Sequence, residues 1–162
     1  MLVVSNTSPI SNLAIVDRLE FLHRRYGIVR IPVAVANELA ALSHPTGAQR
    51  IQSALADGWL VVEPLANPSS PKLPFPLDPG EQAAIALACQ CKADVLLMDE
   101  KRGREAARQS GLVVAGVLGE LIHAKLAGWI PNVRDEIRRL RLDAGFFVDV
   151  TIEKFILSQV GE

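Results

Sequence analysis

Cysteine and aromatic residues are scarce in this chain. Its two cysteines, Cys89 and Cys91, are spaced C-x-C, which matches neither a zinc site nor a C-x-x-C redox motif. We therefore expect both to be buried as small apolar side chains in a reducing cytoplasm. Five Phe, two Trp and one Tyr are too few for extensive base stacking on a nucleic acid.

The chain also lacks an excess of charge of either sign and any long apolar run. With 17 Lys and Arg against 18 Asp and Glu, its net charge is −1, so global basicity gives no argument for nucleic-acid binding. No apolar run approaches the roughly 18 residues that span a bilayer, and the first residues do not resemble a signal peptide. We expect a cytoplasmic protein with no membrane association. The 49% hydrophobic content of its 162 residues predicts one folded domain, residues 1–162.

Sequence motifs of several common enzyme classes are missing. There is no phosphate-binding G-x-x-x-x-G-K-[ST], no dinucleotide-binding G-x-G-x-x-G and no hydrolase G-x-S-x-G. A phosphatase of the haloacid dehalogenase type needs an aspartate nucleophile after its first strand, where this chain has Asn6. The three histidines, His23, His44 and His123, have neither metal-ligand nor triad spacing and are expected to be structural or to lie at the surface.

Short apolar runs alternate with helical patterns along the chain. Strands are predicted at residues 2–5, 28–31, 59–63, 93–98 and 112–115. Helical patterns cover residues 6–22, 33–42, 47–57, 78–91, 100–110, 119–126, 133–142 and 149–160. Six prolines between Pro64 and Pro79 predict a semi-rigid surface loop inside the domain. Because the strands are continuous apolar runs, we expect an α/β fold with helices on both faces of a mainly parallel sheet.

Oxygen-bearing side chains stand near the carboxyl ends of the predicted strands, where parallel sheets bind their ligands. Asn6 follows the first strand, Asp99 follows the fourth, Glu38 lies on the helix after the second, and Glu81 opens the helix 78–91. Each has a structural alternative, since Asn6, Asp99 and Glu81 can cap helices and Glu38 can lie on a solvated helix face. Together they form a set of hard oxygen ligands suited to Mg²⁺ or Mn²⁺.

These motifs also follow one another in a recognisable order. The stretches concerned are Val4–Ile10, Ile31–Leu39, Leu77–Ala88, Leu96–Arg108, Gly116–Gly119 and Gly128–Pro131. Their order and spacing resemble those of the PIN-domain ribonucleases, in particular the VapC-like toxins and a less characterised sister branch. The resemblance covers residues 2 to about 145.

The resemblance implies a three-layer α/β/α fold and an acidic pocket that holds one or two Mg²⁺ or Mn²⁺ ions. It implies that Glu38, Glu81 and Asp99 are catalytic. The metal ligands would be these three residues together with Asn6 and the auxiliary acid Glu100, and Ser8 would support the site by hydrogen bonding. Asn6 departs from the family, which usually has aspartate at this position, so the site carries one negative charge fewer.

Four basic residues follow the last of these acids, and a phosphate backbone passing the pocket would meet them: Lys101, Arg102, Arg104 and Arg108. The alternative is an ordinary solvated helix. The predicted function is a metal-dependent endoribonuclease, the toxin of a prokaryotic toxin–antitoxin pair, with RNA and a small antitoxin as partners. The alternatives are a catalytically weak RNA-binding or regulatory module and a structural partner protein whose acids only cap helices. A homodimer is also expected, and Leu13, Leu19 and Leu22 would form either its interface or the core.

Overall fold

A computed structural model describes residues 1–68 and 72–162, which form five strands and nine helices. The strands are β1 Val3–Ser5, β2 Val29–Ile31, β3 Leu60–Val62, β4 Val95–Leu97 and β5 Val114–Ala115. All neighbouring strands pair in parallel, in the spatial order β3-β2-β1-β4-β5. The register places Ser5 opposite Leu97, so β1 and β4 end side by side at the centre of the sheet.

The helices connect the strands and cover the sheet. They are α1 Thr7–Ile15, α2 Glu20–Tyr26, α3 Val33–Ala40, α4 Pro45–Ala56, α5 Pro79–Gln90, α6 Lys101–Gln109, α7 Val117–Leu126, α8 Val133–Ala144 and α9 Val150–Gln159. In the part of the chain that the structure describes, no helix is long and apolar enough to cross a membrane.

Two apolar clusters lie on opposite faces of the sheet. Val3 and Leu97 face the larger cluster, which contains buried residues of α1, α2, α3, α4, α7, α8 and α9. Val4 and Leu96 face the smaller cluster, which α5 and α6 cover. Neighbouring residues of one strand point to opposite faces, so a central strand that is covered on both sides is largely apolar. The predicted α/β/α architecture with a parallel sheet is confirmed.

The first helical pattern is two helices rather than one. The chain breaks between α1 and α2, where Asp17 adopts a left-handed conformation with φ of 59°. The break turns α2 away from α1, so that both helices bury apolar residues in the larger cluster. Leu13, Leu19 and Leu22 are all buried there, so of the two alternatives left open for them the core is the correct one.

The proline-rich stretch carries neither helix nor strand in its described residues, 64–68 and 72–78, and residues 69–71 of the predicted loop lie outside the description. It is anchored to α5, because the Gln90 side chain exchanges two hydrogen bonds with the backbone of Asn67. Leu73 and Phe75 pack against the smaller apolar cluster. These contacts hold the described parts of the loop against the rest of the chain, and the stiffness of the loop stays a prediction.

The cysteines differ from the prediction. Cys89 and Cys91 are free and only partly buried, at the end of α5 and just beyond it. The helix ends there, so its last turn lies at the rim of the smaller cluster instead of inside it. Partial burial raises the pKa of both thiols, which disfavours the reactive thiolate.

Candidate functional site

Asn6 and Asp99 are brought together by the pairing of two strands. The Asn6 backbone N–H donates to the Leu97 carbonyl at 2.9 Å, which extends the β1–β4 ladder by one residue toward Asp99. Asn6 is only 4% exposed. Among the described residues, Asn6 Oδ1 and Asp99 Oδ2 are the buried side-chain oxygens without a hydrogen-bond partner. Leaving such atoms unpaired is costly, so each requires an explanation.

Two other buried acids have basic or hydroxyl partners. Glu120 accepts hydrogen bonds from Tyr26 at 2.7 Å and from Arg25 at 3.1 Å. Glu136 is paired with Arg18, whose Nη2 lies 2.8 Å from its Oε1. The unpaired oxygens of Asn6 and Asp99 are therefore a local feature of the strand ends.

Asp99 is held at the N-terminus of α7 rather than capping α6. Its Oδ1 accepts from the Val117 backbone N–H at 2.8 Å, and Glu100 occupies the N-cap position of α6. The capping interpretation of Asp99 for helix 100–110 is therefore wrong. A Cβ at residue 116 would lie 2.6 Å from Asp99 Oδ1, so Gly116 makes room for the carboxylate.

Burial dominates the electrostatics of Asp99. It raises the pKa of the carboxyl from 3.8 to about 6. The hydrogen bond from Val117, the Arg104 guanidinium and the nearby Ser8 hydroxyl lower that pKa, whereas the Glu100 carboxylate raises it. A carboxyl group whose pKa is raised by burial is costly to ionise, and a bound cation would offset that cost.

Asn6 does not act as a helix cap. It stands at the N-cap position of α1, but its side chain makes no capping hydrogen bond. The backbone there is extended, with φ of −76° and ψ of 174°, and the side chain is turned into the protein. Its amide oxygen is thus available as a neutral metal ligand.

Glu38 is exposed at the end of α3 and bridges two other elements. Its Oε2 accepts a hydrogen bond from the Thr7 hydroxyl, in the first turn of α1. A Cβ at residue 80 would overlap the Glu38 carboxylate, so Gly80 allows it to lie against the start of α5. This position next to a helix N-terminus favours negative charge.

Glu81 forms the predicted capping box with Asp78. The Glu81 N–H donates to Asp78 Oδ1 at 2.8 Å, and the Asp78 N–H donates to Glu81 Oε2 at 3.3 Å. The side chain is nevertheless buried. Burial, followed by the Asp78 and Glu100 carboxylates, raises the pKa of Glu81. The capping hydrogen bonds therefore do not fully offset the free-energy cost of ionising the buried Glu81 carboxyl.

The predicted acids do not all converge on one point. Among residues 1–68 and 72–162, no three His, Cys, Asp or Glu side chains lie close enough together to hold a metal ion. Carboxylates repel each other, and here Glu38 is held by Thr7 while Glu81 is held by Asp78. The Glu100 carboxylate raises the pKa of both Glu81 and Asp99, so its charge acts on both. The donors that fit a divalent ion best are Asn6 Oδ1 and Asp99 Oδ2, and the Glu100 carboxylate is near enough to Asp99 to raise its pKa.

The basic residues after Asp99 have different surroundings. Arg104 is partly buried and donates to the Met98 carbonyl at 2.9 Å, so its guanidinium is part of the protein's own structure. Arg102 lies over the Phe75 ring, 4.8 Å from the ring centre. Lys101 and Arg108 are exposed and line a large groove that begins at Asp99.

This groove has a volume of about 1160 Å³ and was not anticipated from the sequence. One wall carries Asp99, Lys101 and Arg108, and the other carries Phe146, Phe147 and side chains of α9. The Phe-Phe pair and the apolar i, i+3 pair Ile152 and Phe155 are the sequence signals that could have indicated it. We call this cavity the C-terminal groove.

Comparison with known proteins identifies the family. The model described as "DUF3368: PIN domain" matches residues 2–162, and the chain therefore belongs to the PIN-domain family. A solved PilT N-terminus domain protein from the hyperthermophilic archaeon Sulfolobus solfataricus P2 has a similar fold, with a TM-score of 0.56 and 19% sequence identity. The match covers 76% of this chain and 93% of that one. No curated protein matches this sequence.

Proposed function

We propose that this protein is a metal-dependent endoribonuclease. The observation that carries the proposal is the pair of buried oxygens, Asn6 Oδ1 and Asp99 Oδ2, which lack protein partners in the described chain. They lie at the carboxyl ends of two adjacent parallel strands, where α/β proteins place their ligands. The nuclease type of fold that PIN domains share supports the same reaction class.

The chain's own residues have distinct tasks in this reaction. Asn6 and Asp99 would hold Mg²⁺ or Mn²⁺, and the buried Asp99 carboxylate provides charge where water is largely excluded. A bound divalent ion supplies charge neutralisation on the phosphate and an activated water. Glu81 and Glu100 line one pocket, and in this proposal their carboxylates would orient water beside the ion. Lys101 and Arg108 face the groove and attract the phosphate backbone.

We further propose the biological role of a toxin in a prokaryotic toxin–antitoxin pair, acting in the cytoplasm and neutralised by a small antitoxin. A small antitoxin-like reading frame beside the gene would support this role. A second candidate is an RNA-binding module with weak or no catalysis. It is favoured by Asn6, a neutral ligand, and by the scattered carboxylates among the described residues.

Replacement of Glu81 by glutamine tests the nuclease proposal. Glutamine serves in a capping box as glutamate does and removes a charge that burial disfavours, so the melting temperature should not fall below that of wild type. It has no charge for the metal site, and we expect RNA cleavage in Mn²⁺ or Mg²⁺ to fall about 10- to 100-fold. The assay follows a labelled RNA with each metal and with EDTA.

Glu105→Gln is the matched control, because Glu105 is an exposed acid of α6 outside both the groove and the capping box. It should cleave as wild type does. Cleavage that persists in EDTA would contradict metal dependence, and equal activity of Glu81→Gln and wild type would remove Glu81 from the site. RNA binding without any cleavage would favour the second candidate.

Substitutions of Arg104 and Arg108 should give different results although one helical turn separates them. Arg108→Ala removes an exposed charge and should leave the melting temperature unchanged. It should lower the salt dependence of RNA affinity by about 0.7 in the log–log slope, the share of one phosphate contact with a single strand. Arg104→Ala should lower the melting temperature, because the Met98 carbonyl loses its donor and Asp99 loses a favourable charge.

The salt dependence is measured by fluorescence anisotropy in EDTA. Arg138→Ala, an exposed arginine of α8 outside the groove, is the control and should keep the wild-type slope. An unchanged slope for Arg108→Ala would assign Arg108 to an ordinary solvated helix face.

A further inference from the structure

The two walls of the C-terminal groove differ in chemistry. The wall near the strand ends is charged and contains two acids and three basic residues: Asp99, Glu100, Lys101, Arg104 and Arg108. The opposite wall is apolar and includes Phe147, Ile152 and Phe155. At about 1160 Å³ the groove exceeds the roughly 300–1,000 Å³ of sites for small molecules, so an extended ligand fits it better.

The aromatic wall is exposed to an unusual degree. Phe147 is 85% exposed and Phe155 is 62% exposed, and Ile152 between them is also exposed. An apolar patch rimmed by polar groups marks a binding surface.

The backbone holds Phe147 in this position. Gly145 ends α8 in a left-handed conformation, with φ of 64°, and turns the chain toward the groove. Arg141 Nη2 then donates to the Val148 carbonyl at 3.0 Å, which ties down the residue next to Phe147. The ring is therefore carried by an anchored backbone segment, which lowers the cost of ordering that segment when a ligand binds.

We propose that this wall is a base-binding subsite for single-stranded RNA, with the bases stacked on Phe147 and Phe155. The inference rests on the proposed function, because the same strand would pass Asp99. A single strand carries regularly spaced negative charge on one side and flat apolar rings on the other, which matches the two walls. In a duplex the bases are paired and stacked on one another, so they cannot stack on the phenylalanine rings.

The charges of the groove favour RNA over an apolar protein partner. A protein helix or a second copy of this chain would bury Lys101 and Arg108 against apolar atoms, at the cost of their hydration. The acidic residue on the apolar side, Asp149, is occupied as the N-cap of α9, where it accepts from Thr151 N–H at 2.8 Å. Its charge is thereby stabilised at the start of that helix.

Binding in EDTA tests the subsite without cleavage. The probe is a labelled single-stranded oligouridylate of about ten nucleotides, within the range that such grooves accommodate. Phe147→Ala and Phe155→Ala should each weaken binding at least about fivefold. Phe147→Trp should retain the affinity, and Phe147→Leu should not, since leucine keeps apolar area but has no aromatic face.

Three controls separate stacking from other effects. Leu126→Ala, an exposed apolar residue of α7 outside the groove, should bind as wild type does. An abasic strand of equal charge should bind wild type and Phe147→Ala equally. A duplex of matched sequence should bind wild type more weakly than the single strand and should not respond to Phe147→Ala.

Several results would overturn the subsite. Full affinity of Phe147→Leu would indicate a merely apolar surface, and conversion of a dimer to a monomer by Phe147→Ala would make this wall an interface between copies. Unchanged binding by both alanine variants, with metal-dependent cleavage intact, would refute the subsite and leave the nuclease proposal standing. Failure of wild type to bind or cleave any single-stranded RNA would refute both.

Discussion

Replacement of Asp99 by asparagine should eliminate most metal-dependent cleavage and yet raise the melting temperature of the metal-free protein at neutral pH. Cleavage should fall by about 100-fold or more, because the buried anionic oxygen that would bind the ion is lost. Stability should rise because burial makes the ionised carboxyl unfavourable in the folded state.

The pH dependence of the stability effect has a defined sign. The pKa of Asp99 is raised from 3.8 to about 6 on folding, so its stabilising contribution is fully present below pH 3.8 and is lost as the pH rises through about 6. The asparagine variant lacks this loss. The free energy of unfolding of the variant should exceed that of wild type only slightly near pH 4. The difference should grow to the order of 1–3 kcal/mol above pH 6.

Urea unfolding of both proteins in EDTA, at intervals from pH 4 to pH 8, measures this difference. Asp57→Asn is the matched control, since Asp57 is exposed at the end of α4, and it should follow wild type throughout. Excess Mn²⁺ should make wild type the more stable of the two proteins, because only wild type keeps the carboxylate that binds the ion. If Asp99→Asn cleaves RNA as well as wild type does, Asp99 is not part of a catalytic site.

The second large effect is expected for Asn6→Asp. It adds a carboxylate to a nearly inaccessible position beside Asp99, which is itself ionised with difficulty. Without metal the folded protein should lose stability on the order of 2 kcal/mol or more, through burial and like-charge repulsion. With metal the added charge becomes a ligand, so Mn²⁺ should bind more tightly and cleavage should reach its maximum at lower metal concentration.

Thermal melting of wild type and Asn6→Asp across a Mn²⁺ titration separates these effects. The rise in melting temperature per addition of metal should be steeper for the variant, because the ion binds only the folded state. Asn132→Asp is the control: the residue caps α8, where aspartate is an equivalent cap, so the metal response should equal that of wild type. Parallel titration curves for Asn6→Asp and wild type would place Asn6 outside any metal site.

Features formed within a few residues were predictable from the sequence. The capping box of Asp78 and Glu81 closes within one helical turn, so its residues and spacing alone specify it. The apolar runs around Val4 and Leu96 similarly predicted buried strands, because only strands covered on both faces are apolar throughout. The break at Asp17 was missed, because apolar periodicity continues through Leu22 and only packing of α2 on the sheet requires the turn.

The sequence by itself therefore determined the α/β class, the parallel sheet and the candidate acids near the strand ends. Tertiary structure decided which of the candidate site residues lie side by side. The strand order brings β1 next to β4, and this leaves Asn6 and Asp99 unpaired together while Glu38 and Glu81 find partners elsewhere. It also decided that Arg104 serves the Met98 carbonyl while Arg108 faces a groove completed by Phe147. The physical reason is that local periodicity specifies which face of an element is buried, whereas contacts between distant residues depend on how the elements pack.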